Sequence, residues 1–220
     1  MKLLNMMPDG HIEMCKAVRG GNLDRVKLCH EKSPRAYLTQ DVLGCTAAFV
    51  ACSEGHSDIL DYLLSLGGNN ILASDKNGYN PLHAASSHGH LKIVEILLRE
   101  GYSSFEHIDR VGFQGLSPLF VACIFGYLEI AKILLSAGAN INKRNKEGDT
   151  ALMVACKVGK IGTVVFLLEE GADGNLRNED GVTAFNHAKT NGKKDVVTYL
   201  TESGRVEIPV VDNINCDHEI

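Results

Sequence analysis

Gly78-Tyr79-Asn80-Pro81-Leu82-His83-Ala84-Ala85, followed by Gly89-His90, is the stretch that decides the fold, because the chain repeats its pattern four more times. The counterparts open at Gly44-Cys45-Thr46-Ala47-Ala48-Phe49, Gly115-Leu116-Ser117-Pro118-Leu119-Phe120, Gly148-Asp149-Thr150-Ala151-Leu152-Met153 and Gly181-Val182-Thr183-Ala184-Phe185-Asn186. The leading glycines are spaced by 34, 37, 33 and 33 residues. A period of this size marks a stack of supersecondary units, none of which can bury its apolar face alone.

One unit, residues 109–142, shows how the pattern folds. Ser117 is a good helix N-cap, and Pro118 suits the first helical position because the N–H it lacks would have no helical partner there. Leu119, Ala122 and Cys123 share one face, predicting a first helix of about two turns that Gly126 ends with positive φ. A second helix runs from about Leu128 to a stop at Gly138, and Asn140-Ile141-Asn142 leads out as a turn or extended segment. The N-cap recurs as Thr46, Asn80, Thr150 and Thr183, and the mid-unit glycine as Gly55, Gly89, Gly159 and Gly192. The terminal glycine recurs as Gly67, Gly101, Gly171 and Gly204.

Composition fits a folded stack. The chain has 220 residues, 45% hydrophobic and 22% charged, with a net charge of −5. That balance offers no basic field for nucleic acid. The seven cysteines are odd in number and form no CxxC pair, against a disulfide framework or a zinc ribbon. Cys52, Cys123 and Cys156 hold one position in three units and read as buried thiols in a reducing compartment, the cytoplasm or nucleus. Met1–Asp9 has too short an apolar run for a signal peptide. Gly126, Glu129 and Lys132 interrupt the most apolar stretch, so Pro118 to Ala139 reads as two core helices and no membrane insertion is expected.

These residues resemble the ankyrin repeat, whose signature begins T-P-L-H-x-A and which Asn80–Ala85 matches best. Gly138-Ala139-Asn140-Ile141-Asn142 and Gly171-Ala172-Asp173-Gly174-Asn175 match the unit's end. The resemblance implies an all-α solenoid of helix-turn-helix units with projecting β-turn or hairpin loops. A lead of residues 1–10 precedes the array, 11–204, in which a degenerate unit at about 11–40 opens five repeats. The repeats fall at about 41–74, 75–108, 109–144, 145–177 and 178–204, and a tail of 205–220 without repeat signal is expected to be extended or disordered. In the family the histidine at the His83 position ties neighbouring turns. Phe49, Phe120, Met153 and Asn186 replace it in the other units, so those junctions are expected to lean on apolar packing.

No GxSxG, P-loop, HExxH or dinucleotide turn is present, and neither an enzyme nor a cofactor is expected. His83 and His90 stand where the family pattern has histidine, which leaves only His88 unexplained, and without a ligand set no metal site is expected. The resemblance implies a concave groove built from turn residues and from residues late in each first helix. It would present Val42, Leu43, Cys45, Ser53 and Glu54, then Lys76, Asn77, Tyr79, Ser87 and His88. Further along come Phe113, Gln114, Leu116, Ile124 and Phe125, followed by more polar units that begin with Lys146, Glu147 and Asp149. Phe113, Leu116, Ile124 and Phe125 are expected to converge on one patch at the groove's centre. The four extra residues within Tyr102–Gln114 leave two arrangements open: an uncovered patch, or one covered by Phe105, Ile108 and the rest of that loop.

The resemblance also nominates Asn142 and Asn175 as acceptors for an asparaginyl hydroxylase, against the alternative that both simply hydrogen-bond within the turn. The function it implies is non-catalytic: an adaptor, scaffold or inhibitor, monomeric when free, that docks a protein partner. The rival readings are a recognition or regulatory subunit of a ubiquitin ligase or kinase assembly, an enzyme with a cryptic site, and, disfavoured by charge, a nucleic-acid binder.

Overall fold

In each of the five repeats the chain enters its first helix through a side-chain cap, and in the first four it leaves that helix through a left-handed glycine. Thr46, Asn80, Ser117, Thr150 and Thr183 each accept the backbone N–H three residues on. Gly55, Gly89, Gly126 and Gly159 end the first four of these helices with φ between 76° and 89°. The computed structural model describes residues 9–68 and 72–208, apart from the side chains of Asp9 and Phe105. The expectations for Met1–Pro8, for Cys216 and for the covering role of the Phe105 ring lie outside the described residues.

Thirteen α-helices occur among the described residues. A hairpin of α1 (Asp9–Arg19) and α2 (Leu23–Lys32) opens the stack, followed by a 3-10 turn at Ala36–Leu38. Repeat 1 holds α3 (Ala47–Glu54) and α4 (Ser57–Ser65), and repeat 2 holds α5 (Pro81–His88) and α6 (Leu91–Leu97). A π turn, Leu98–Tyr102, and the short α7 (Phe105–Ile108) separate α6 from repeat 3. Then come α8 (Pro118–Phe125) and α9 (Leu128–Ser136), α10 (Ala151–Val158) and α11 (Ile161–Glu169), and α12 (Ala184–Thr190) and α13 (Lys194–Ser203). There is no β-strand among these residues, and one isolated antiparallel bridge, Arg144 to Thr150, marks a projecting tip.

The first helices stack into an inner layer and the second helices into an outer one. Small side chains govern their spacing. Ala47, Ala48 and Ala51, Ala84 and Ala85, Ala122, Ala151 and Ala155, and Ala184 and Ala188 are all buried in the inner layer. The outer layer buries Ile59, Leu60, Leu63, Ile93, Leu97, Ile130, Leu134, Leu167 and Leu200 instead. Inner helices therefore approach each other more closely than outer ones.

Gly55, Gly89, Gly126 and Gly159, between the paired helices of repeats 1 to 4, are also seats for the next unit. A Cβ on Gly55 would run into the His90 ring, and one on Gly89 into the Tyr127 ring, each at 2.6 Å. The His90 ring, so seated, reaches Ser53 O with Nε2 at 2.9 Å.

The extra residues after α6 do not form a flap. Tyr102 and Ile108 are buried in the stack, and the buried Asp109 carboxylate accepts Asn140 N–H at 3.0 Å. Asn80 Nδ2 donates to His107 O at 2.9 Å, which pins the segment to repeat 2 as well. The first residues of the tail, 205–208, pack on the array, and the expectation for residues 209–220 lies outside the described residues. Val206 is buried over Gly174, Arg205 Nη1 donates to Leu168 O at 2.8 Å, and Glu207 N–H donates to Asn175 Oδ1 at 2.6 Å. Residues 205–208 thus close the last described interface, because the missing Cβ of Gly174 leaves a slot that a valine fills.

Candidate functional site: the inner face of repeats 1 to 3

The tips of four repeats are built by one device. Asp41, Asp75, Asn145 and Asn178 each turn Oδ1 onto the backbone N–H groups two and four residues later, at 2.8–3.1 Å. Repeat 3 has Gly112 at this position, and a side chain there would collide with the Tyr79 ring. Tyr79 is therefore wedged between the second and third tips, half-buried and edge-on to His83 at 5.2 Å. Neighbouring tips are laced by backbone bonds from Lys76 N–H to Leu43 O, Lys146 N–H to Gln114 O and Glu179 N–H to Glu147 O, at 2.9–3.1 Å. Between the second and third tips, Gly78 O accepts instead from Arg110 Nε at 3.2 Å.

His83 fixes the floor of this face. Its Nδ1 accepts Asn80 N–H at 3.1 Å, so the neutral ring carries its proton on Nε2 and donates to Leu116 O at 2.9 Å. Burial lowers its pKa to about 4, against the opposing effect of the carbonyl it bonds. The imidazole is thus a neutral tie between repeats 2 and 3. At the equivalent position Phe120 and Met153 are buried apolar side chains, as expected. Asn186 departs from that expectation: its Oδ1 accepts Thr183 N–H at 3.2 Å and so imitates the histidine.

Above His83 lies a cleft of about 280 Å³ lined by Phe49, Ser53, Asp75, Tyr79, Ala84, Ser87, His88, Leu116 and Val121. The sequence explains why it opens here. Along the inner helices one position reads Val50, Ala84, Val121, Val154, and another reads Ser53, Ser87, Ile124, Lys157. Repeat 2 contributes the smallest residue to the first set, and repeats 1 and 2 the smallest to the second. A gap therefore remains between the aromatic Phe49 and Tyr79 and the aliphatic Leu116 and Val121. A second hollow, of about 630 Å³, lies between α1 and α2 and is lined by Glu13, Arg25, Lys32 and their neighbours.

Of the expected groove residues, Ser53, Tyr79, Ser87, His88 and Leu116 line the cleft. Phe113, Leu116, Ile124 and Phe125 differ in their surroundings. Phe113 is 65% exposed with Lys146 Nζ over its ring at 5.0 Å, whereas Phe125 is 50% exposed and lies beside Tyr127 at 6.1 Å. Ile124 is half-buried against the core rather than solvent-facing. The long loop covers neither aromatic. Its last part instead extends the lip, with Val111 and Phe113 both exposed. Val42, Leu43, Lys76, Asn77 and Gln114 are exposed at the tips. Asp149, expected among the groove residues, is buried and accepts from Asn178 Nδ2 at 2.7 Å, with His187 Nε2 at 3.1 Å.

Asn142 and Asn175 sit at interfaces between units. Asn142 Oδ1 accepts Asp173 N–H at 3.0 Å, so its bond reaches the next repeat rather than closing its own turn. Asn175 Oδ1 receives Glu207 N–H. Burial raises the thiols of Cys123 and Cys156 to about 12, which keeps them protonated and unreactive. His88 stacks on His90 at 5.9 Å, and among the described residues no three histidine, cysteine or carboxylate groups gather around a common point. No helix among these residues is long and apolar enough to cross a membrane.

Paired helices in two layers, glycine-seated junctions and laced tips define a helical repeat protein with one recessed face. The family model described as ankyrin repeats in three copies matches residues 14–109, 75–145 and 119–212, and the chain belongs to the ankyrin-repeat proteins. Ankyrin repeats are in general protein–protein interaction modules. The chain is similar to tyrosine-protein kinase HTK16 of Hydra vulgaris, 32% identical over 155 residues that are 64% of this chain and 20% of that protein. It is similar to transient receptor potential cation channel subfamily A member 1 of Homo sapiens, 33% identical over 150 residues, 66% of this chain and 13% of the channel. It also resembles ankyrin repeat and SOCS box protein 3 of Bos taurus, 38% identical over 106 residues, 48% of this chain and 20% of that protein. The alignments thus span a fifth or less of each of these relatives.

Proposed function

We propose that this array is a non-catalytic receptor for a protein partner, which docks across the inner face and tips of repeats 1 to 3. The observation that carries the reading is the cleft over His83, together with exposed apolar side chains at Val42, Leu43, Phe113 and Phe125 in repeats 1 and 3. Large side chains held in water on one face lose that exposure only in a complex, and aromatic anchors of this kind dominate interface energies. Phe113→Glu with Phe125→Glu is expected to lower partner capture by about 30-fold or more, the equivalent of about 2 kcal/mol. The melting temperature should stay within about 2 °C of the parent, since both rings are half or more exposed. Lys92→Glu, on the outer helix α6, should change neither. Undiminished capture by the double variant, or a loss equal to that of Lys92→Glu, would overturn the reading.

A second reading draws on the relatives. They are longer proteins whose names include a tyrosine kinase and a SOCS box protein. In this reading the array selects a partner on behalf of a larger catalytic assembly. Co-purification of the full chain with a kinase or ligase subunit that survives the groove variants supports it, and purification of the groove partner alone removes it.

A further inference from the structure

We infer that the cleft receives the side chain of one lysine or arginine from a protein segment, an inference that rests on the protein-binding reading above. Its walls set the chemistry. Phe49, Leu116 and Val121 are apolar, Tyr79 adds an aromatic ring, and Asp75 is the one carboxylate of the lining. Asp75 Oδ1 is committed to Asn77 and Tyr79 N–H, at 2.9 and 2.8 Å. Among the described residues Asp75 enters no ion pair, and its second oxygen accepts no hydrogen bond. Lys76 does not neutralise it from within, because the Lys76 stem crosses Gly44 at the first tip and is absent from the lining.

Three classes of guest side chain can be compared in this space. A carboxylate would face Asp75 at close range and be repelled. A purely aliphatic group would satisfy the walls but strip water from an unpaired carboxylate, which is costly. A long hydrocarbon stem ending in a cation satisfies both demands. The stem lies along Phe49, Leu116 and Val121, and the head meets Asp75 beside the electron-rich face of an aromatic ring. The floor raises no objection, since the His83 ring is neutral and both its nitrogens are already bonded within the chain.

The chain contains its own control for the charge. Asn145 and Asn178 cap the fourth and fifth tips with the same pair of N–H bonds that Asp75 makes at the second. Asp75→Asn therefore keeps the turn and removes only the charge, and Asp41→Asn makes the same exchange at a tip outside the cleft. Ala84→Val fills the cleft with the residue already present at Val50 and Val121.

The test is a selection of random twelve-residue peptides displayed on phage against the full chain, followed by affinity measurement on the free peptides. Recovered peptides are expected to share one lysine or arginine. Replacing that residue by norleucine should weaken binding by about tenfold or more, and comparing lysine with arginine shows which cation fits. Asp75→Asn should cause a similar loss and erase the preference for the cation over norleucine. Asp41→Asn should leave both intact, and Ala84→Val should abolish binding with no fall in melting temperature.

Peptides anchored by an apolar or acidic residue, or bound equally well by Asp75→Asn, overturn the inference. If such peptides are still lost on Ala84→Val, the groove reading survives without it. Peptides indifferent to both Ala84→Val and Phe113→Glu bind elsewhere and overturn both. An empty selection overturns the inference alone, because the groove reading is decided by the capture experiment.

Discussion

Ser86 occupies the position that Cys52, Cys123 and Cys156 hold in neighbouring repeats, fully buried in the inner layer. A thiol suits that place as a small, weakly polar group. The serine hydroxyl finds no hydrogen-bond partner there among the described residues. Burying a hydroxyl without a partner costs roughly 1–3 kcal/mol, whereas the side chain fills its space much as cysteine does. Ser86→Cys is therefore expected to raise stability by about 1 kcal/mol, read as a higher urea midpoint with unchanged slope. A lower midpoint would show that Ser86 Oγ is satisfied in solution. At this scale much was legible in the sequence, since caps, stops and buried cysteines fall where the repeat pattern puts them. Asp149 was not legible. Its position relative to Gly148 marks it as a tip residue, but only the packed structure shows Asn178 and His187 closing over its carboxylate.

Between elements, the His83 ring joins α5 to the tip of repeat 3 through Nε2–H, and its burial favours the neutral ring. Its pKa falls from 6.5 in the open chain to about 4 in the fold. Between these values the unfolded chain binds a proton that the folded one refuses. The contribution is complete above about pH 6.5, is lost as pH falls toward 4, and amounts to no more than about 3 kcal/mol. His83→Phe, which copies Phe49 and Phe120, should remove that part of the slope. The stability gap between parent and variant should then narrow as pH drops from 7 to 4. A gap constant across that range would mean that the ring titrates normally. The paired helices themselves were readable because every boundary carries a local signal. The segment after α6 was not, because no local signal specifies its π turn or α7. Distant partners hold it, Asn140 on Asp109 and Asn80 on His107 O. The cleft was half readable. Ser53, Tyr79, Ser87, His88 and Leu116 follow from position within the repeat, whereas Asp75 and Ala84 emerge only when small and large residues are compared across adjacent units. Gly112, at the tip position that otherwise carries Asp or Asn, was the visible clue to the Tyr79 wedge.

Across the whole molecule, no helix pair contacts the entire core, because each packs on its sequence neighbours. Stability in such a stack is a sum of unit terms and interface terms, so a unit covered on both sides opens less readily than one covered on one side. The hairpins α8–α9 and α10–α11 have a helix pair on either side, whereas among the described residues α12–α13 packs on α10–α11 alone, and residues 205–208 bond to Leu168 O and Asn175 of that same neighbouring repeat. Native-state hydrogen exchange on the 220-residue chain is expected to show strongest protection in α8 to α11 and weaker protection in α12 and α13. Val206→Gly should widen that difference, because it empties the slot over Gly174 and loosens the last interface without touching the centre. The same substitution should leave α8 and α9 unchanged to within about 0.5 kcal/mol, as expected for sites with no shared contacts. Equal loss of protection in every helix after Val206→Gly would mean that the array opens as one cooperative unit. In that case the end interface would contribute to the stability of the groove as well as to its own repeat.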